Sequence, residues 1–142
     1  MTERFSFSRD AAKIDRARVY RWLSEESYWA RGRERSTQDA AMDASRNYGV
    51  YDDDSGEQLA YARVVTDGVT FAWLCDVFVV PEVRGRGIGK TLVAGVIADL
   101  EPLGLKRTLL ATGDAHGLYA HYGFTPLSDP STMMEKARST RT

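Results

Sequence analysis

The densest chemistry in the sequence lies at Arg84-Gly85-Arg86-Gly87-Ile88-Gly89-Lys90-Thr91, just after the apolar run Val77-Phe78-Val79-Val80. A buried strand that ends in a glycine-rich turn and re-enters as a helix presents main-chain N–H groups with no intrahelical partner. They sit at the positive end of the helix dipole and suit a phosphate or pyrophosphate. Glycine lets the backbone approach such an anion without a Cβ in the way. Arg84, Arg86 and Lys90 add positive charge. Two common anion-binding patterns do not fit. A phosphate-binding P-loop ends like Gly89-Lys90-Thr91, but it requires glycine at position 84, which is arginine. A dinucleotide fingerprint begins like Gly85 and Gly87, but its third glycine would fall on Lys90.

The elements that must position this turn follow from hydrophobic spacing. Ile88, Leu92, Val93, Val96, Ile97 and Leu100 recur at helical period, and Pro102 and Gly104 end that helix. Before it, Tyr48–Tyr51, Leu59–Val65 and Thr70–Val80 read as three strands, joined by turns at 52–56 and 66–68. Short turns imply an antiparallel meander, and the unbroken apolar character of the last strand implies burial on both faces. Thr108–Ala111 is a short strand that a right-handed crossover places parallel to Thr70–Val80. A short helix near 115–121 and a strand at Phe124-Thr125 follow. The first stretch reads as a short strand and a helix through Ile14, Ala17, Val19, Tyr20 and Leu23, with a break at Ser24–Ser27. A second helix spans Gln38–Ser45. The expected fold class is α/β (α+β), with a mixed, mostly antiparallel sheet and helices on both faces. Residues 1–142 are expected to form one domain, with 138–142 a frayed tail.

The segment Arg84-Gly85-Arg86-Gly87-Ile88-Gly89 satisfies the pattern Arg/Gln-x-x-Gly-x-Gly/Ala. Downstream, Ala115, Leu118, Tyr119, Gly123 and Phe124 match A-x-x-L-Y-x-x-x-G-F. Two motifs in this order resemble the GNAT superfamily of acetyl-CoA-dependent N-acetyltransferases. The resemblance is strong over residues 48–126; the first 45 residues match only in layout.

That resemblance implies a sheet splayed between its fourth and fifth strands, with acetyl-CoA in the wedge. It implies that main-chain groups of Val77, Phe78 and Val79 meet the pantetheine arm, and that the turn from Arg84 through Gly85, Arg86, Gly87, Ile88, Gly89 and Lys90 holds the pyrophosphate. A main-chain N–H near Val79 would serve as oxyanion donor. Tyr119, four residues before Gly123, aligns with the family's general acid, and its alternative is a core aromatic. The family's asparagine seven residues before that tyrosine is Thr112 here, which weakens one cofactor contact. Asp76 is a carboxylate in an apolar strand. It is compatible with taking the amine proton, holding the ammonium, or making a structural hydrogen bond. His116 and His121 are further base candidates, as is a water chain. Tyr28 and Trp29 are candidates to line an acceptor pocket. Arg31, Arg33 and Arg35 read as an exposed face, and Asp52-Asp53-Asp54 as a solvated turn.

Composition bounds the rest. The 142 residues carry 19 Lys and Arg against 20 Asp and Glu, a net charge of −1, which argues against a nucleic-acid or membrane-surface binder. One cysteine, Cys75, permits no internal disulfide or multi-cysteine zinc site, and its apolar setting suggests a buried thiol. No metal is expected. The N-terminus Met1-Thr2-Glu3-Arg4-Phe5 shows no signal-peptide apolar region, so a cytoplasmic protein is expected. The expected activity is acetyl transfer from acetyl-CoA to a primary amine of a small molecule or protein, by a monomer or homodimer. The alternative is a non-catalytic acyl-CoA sensor on the same fold. A degenerate P-loop hydrolase is a third, weaker reading.

Overall fold

The computed structural model describes residues 4–139. Its sheet has five strands in sequence order: β1 (Phe5–Ser8), β2 (Arg46–Asp52), β3 (Gln58–Thr66), β4 (Phe71–Val79) and β5 (Arg107–Leu109). β1 through β4 pair antiparallel, and β5 runs parallel to β4. The meander turns form as their sequences require. The Asp52 carboxylate accepts the N–H groups of Asp54 and Ser55 at 2.8 and 2.9 Å, and Asp67 does the same for Val69 and Thr70.

Helices cover both faces. On one, α3 (Ile88–Leu100) buries Ile88, Leu92, Val93, Val96 and Leu100 against Val50, Val64 and Leu74. On the other, α1 (Arg16–Arg21) and α2 (Arg35–Asp43) bury Val19 and Met42 against Tyr61, Phe78 and Val80. Trp22 stacks on Phe78 there, with ring centroids 5.4 Å apart. Each such buried side chain contributes roughly 1.5–3 kcal/mol.

Four details depart from the sequence reading. α1 does not break at Ser24; the helix continues as a wider π turn over Trp22–Glu26 and stops at Ser27. The Ser27 hydroxyl donates to the Leu23 carbonyl at 2.7 Å and accepts the Ala30 N–H at 3.1 Å, so the chain leaves the helix with its polar groups matched. Burial along β4 alternates rather than being complete, and its half-buried residues Trp73, Cys75, Val77 and Val79 all line a cavity. Phe124-Thr125 is not a strand. The Phe124 N–H goes instead to the carbonyl of Tyr119, and its ring packs edge-on against Tyr119 at 5.9 Å, so this backbone closes the end of α4 (His116–Ala120). Finally, Cys75 is half-buried rather than enclosed. Of the expected tail, Arg138 and Ser139 lie outside helix and strand, and residues 140–142 are outside the described residues.

Candidate active site

β4 and β5 pair over only three positions, Phe71 with Arg107, Ala72 with Thr108 and Trp73 with Leu109, and then diverge. The wedge between Cys75–Val79 and Leu110–Ala115 opens into a cavity of about 820 Å³. Val80 N–H bonds to Leu59 on β3 at 3.0 Å, so strand alternation turns the main-chain groups of Val77 and Val79 toward the wedge. Two neighbouring strands that separate leave such an edge able to pair with an extended ligand. Phe78 lines the cavity too, although its ring belongs to the core beneath α1.

At one end of the wedge lies the glycine turn. Gly85 and Gly87 adopt φ of +88° and +83°, and a Cβ on either would meet nothing within 4 Å. Gly87 is the N-cap of α3 without a side-chain cap, and the first intrahelical bond runs from Thr91 N–H to Gly87 carbonyl at 3.0 Å. The amides of Ile88, Gly89 and Lys90 are therefore left outside the helical ladder, directed out of its N-terminus. Arg84, Gly85, Ile88 and Gly89 line the cavity, whereas Arg86, Gly87 and Lys90 form the outer side of the same turn. Arg84 does not reach outward. Its Nε donates to the Val79 carbonyl at 2.8 Å and its guanidinium lies over the Phe78 ring, so it braces the turn and occupies one of the two outward-facing carbonyls.

Tyr119 projects from α4 into the same cavity and is 7% exposed. Burial, with the charge of Asp114 and then Tyr28, pushes its phenol up to about 12. The hydroxyl thus stays protonated at neutral pH. Thr112 lines the wedge and accepts the Ala115 N–H at 3.1 Å, shaping the entry to α4. Tyr122 is held elsewhere, donating to the Lys90 carbonyl at 3.0 Å. His116 and His121 are exposed and do not line the cavity.

The far wall carries Asp76, at φ +54° the one described non-glycine residue in the left-handed region. β4 has one residue more than β3 here, since Tyr61 pairs with Phe78 and Arg63 with Cys75. The bulge turns the Asp76 carboxylate inward, where it is 1% exposed. Oδ1 accepts Trp29 Nε1 at 2.9 Å and Arg33 Nη2 at 3.4 Å; Oδ2 accepts Arg33 Nη1 and Arg63 Nε, both at 2.9 Å. Burial alone would raise its pKa, but the bonds and charge of Arg33 and the charge of Arg63 outweigh it and hold the carboxyl below the ordinary range. Arg33, expected on an exposed face, is instead part of this wall, with a side chain 20% exposed. Tyr28 and Trp29 both line the cavity, packed edge-to-face at 5.0 Å. Tyr28 accepts the Gly113 N–H at 2.8 Å and so spans the wedge from the N-terminal half to the loop after β5. Sequence reasoning missed Arg63 and Trp73. The signal for Arg63 was present: an arginine between Ala62 and Val64 in an apolar strand requires a buried counter-charge.

A mixed sheet that opens beside an unpaired strand edge, with a glycine turn and a helix N-terminus at one end and Tyr119 in the wall, is the arrangement that the resemblance to acetyl-CoA-dependent transferases implied. The sequence model of the Acetyltransferase (GNAT) family matches residues 16–124, and the chain belongs to that family. Acetyl-CoA-dependent acetyl transfer is the family's general reaction. A GNAT-family protein of Xanthomonas campestris pv. campestris has a similar structure, with a TM-score of 0.90 and 42% identity over 97% of this chain and 96% of that one. A GNAT acetyltransferase of Brucella melitensis, crystallised with acetyl-CoA, shares the fold at a TM-score of 0.67 and 19% identity, over 88% and 85% of the two chains. Chloroplastic serotonin N-acetyltransferase 2 of Oryza sativa subsp. japonica is 35% identical over 71 residues, 49% of this chain. The matched segment spans 36% of the length of the curated relatives. No helix among the described residues is long and apolar enough to cross a membrane, and none of their His, Cys, Asp and Glu side chains group as a metal site.

Proposed function

We propose that the protein transfers the acetyl group of acetyl-CoA to a primary amine, within the wedge between β4 and β5. The observation that carries this reading is that Tyr119 lines one continuous cavity with Ile88 and Gly89 at the start of α3. The amides of Gly85 and Ile88 through Lys90 hold the pyrophosphate. The open edge at Val77 and Val79 takes the pantetheine arm, and a main-chain N–H there faces the carbonyl oxygen as it becomes negative.

The amine nitrogen bonds to the acetyl carbon to give a tetrahedral intermediate, and the carbon–sulfur bond breaks as that intermediate collapses. The departing thiolate takes the proton of Tyr119, the amine's proton leaves to solvent through the open cavity, and the Tyr119 phenolate regains a proton from solvent, so that the cycle closes without net proton release. Asp76 is a poor base for that proton, because its oxygens are occupied and its pKa is held down. We assign it a positioning role, orienting Trp29, Arg33 and Arg63. Acetyl-CoA turnover over an amine panel tests the reading, with Tyr119→Phe as control. Its kcat should fall about a hundredfold while coenzyme affinity stays close to that of the parent protein. Tight coenzyme binding with no transfer to any amine would reject the enzyme in favour of a sensor.

A further inference from the structure

The acceptor side of the cavity contains an unbalanced buried charge. The side chains of Arg33 and Arg63 are 20% and 14% exposed, and their shared counter-ion Asp76 is 1% exposed. Two cations thus meet one anion. The neighbouring acids do not correct this. The Cys75 thiol, pushed up by burial to about 11, and the Tyr119 phenol are both neutral at physiological pH. Glu26 and Asp114 also line the cavity, but they are exposed, where water and salt screen them. Arg84 lies at the coenzyme end and is tied to the Val79 carbonyl.

Donors are left over as well as charge. Arg63 gives Nε to Asp76 and Nη1 to the Ser45 hydroxyl at 3.1 Å, and its Nη2 donates to none of the described residues. Arg33 gives Nη1 to Gln38 and Asp76, and its Nε likewise has no acceptor among the described residues. Neither nitrogen is among the buried, unpartnered polar atoms of the described residues, so both donors stay within reach of solvent and open to a ligand. The complement of a planar fork is a carboxylate.

We infer that the acceptor amine also carries a carboxylate, which seats on Arg33 and Arg63 and brings their cluster with Asp76 to charge balance. This rests on the acetyl-transfer reading above. The acceptor class is then an amino acid or a close analogue, with Tyr28, Trp29 and Trp73 as apolar walls for its side chain. The same arginines disfavour an ammonium nearby, so they favour the neutral amine that attack requires and disfavour polyamines.

Equilibrium binding to the CoA-saturated protein tests this without relying on turnover. The probes are a panel of amino acids, each paired with its carboxamide and its decarboxylated amine, and spermidine. At least one acid should bind about tenfold more tightly than its amide, the size expected when a buried charged bond is lost, and be acetylated in the same order. Arg63→Gln should erase that gap while CoA affinity holds. If that variant does not fold, Arg63→Lys keeps the charge without the fork and should narrow the gap. Amides, decarboxylated amines or spermidine binding as well as every acid would overturn the inference. Acid preference without any acetyl transfer would sustain it and reject the enzymatic reading instead.

Discussion

Arg63 Nε on β3 donates to Asp76 Oδ2 on β4 at 2.9 Å across a bulge, although Arg63 stands opposite Cys75 in the ladder. Without the extra residue on β4, strand alternation would send Asp76 to the face covered by α3. The bulge instead places Cys75 and Asp76 together on the α1 side and restores alternation beyond them, so that Val77 packs toward α3 and Phe78 toward Trp22. One irregular residue thus sets both the cavity wall around Asp76 and the direction of the open strand edge at Val77 and Val79.

Removal of the Asp76 charge should be expensive. Asp76→Asn leaves two largely buried guanidiniums without a counter-charge, a loss of about 3 kcal/mol or more. Urea unfolding at neutral pH should show it. The pH dependence has a definite sign. A carboxyl whose folded pKa lies below its unfolded value stabilises the protein above the ordinary carboxylate value of about 4. That contribution disappears as pH falls through the lower, folded value. The difference between parent and Asp76→Asn should therefore shrink on acidification; a constant difference would mean that the charge is not the stabilising feature.

Gly87 tests the anion cradle. At φ +83° a side chain costs about 1–2 kcal/mol, and a glutamate there adds negative charge beside the free amides of α3. Gly87→Glu should abolish acetyl-CoA binding in calorimetry while melting falls only modestly. Gly87→Ala should reproduce the melting loss and retain most of the binding. Equal affinity in both variants would place the pyrophosphate elsewhere.

Much of this was legible in the sequence, for identifiable reasons. The α3 helix was bounded correctly because its apolar spacing, glycine start and Pro102-Gly104 stop agree. The meander and the parallel β5 followed from turn chemistry and connection length. The bulge was not legible: Asp76 announced itself as a charge in an apolar strand, but nothing local says that β4 carries an extra residue. Arg33 was misplaced for a related reason. A charge-rich stretch looks solvated until a distant carboxylate, here Asp76, 43 positions away, is folded against it. Phe124-Thr125 looked extended because it is aromatic and β-branched, yet among the described residues no strand pairs with it, and its Phe124 N–H goes to Tyr119 instead.

Tyr28 forms a strut across the wedge rather than a wall alone. Its hydroxyl accepts the Gly113 N–H at 2.8 Å, while the residue as a whole is 61% exposed. Tyr28→Phe should cost about 1 kcal/mol or less. Its larger effect should be local: faster hydrogen exchange at the Gly113 amide with α3 unchanged, and a raised KM for the acceptor at nearly constant kcat. Unaltered exchange at Gly113 would show that the strut does not hold the loop.

Cys75 lines the cavity and so invites the alternative of an acetyl-enzyme. Its surroundings oppose that role. Burial, in part offset by Arg63 and reinforced by Asp76, pushes the thiol up to about 11, leaving little thiolate at neutral pH. Attack should then come from the amine directly, through a ternary complex. Initial-rate kinetics should give intersecting lines, and mass spectrometry after incubation with acetyl-CoA alone should find Cys75 unmodified. Cys75→Ser should retain acetyl transfer. Iodoacetamide should label the folded protein slowly at neutral pH and faster as alkali generates the thiolate. Parallel lines together with a trapped thioester on Cys75 would replace direct transfer by a two-step route.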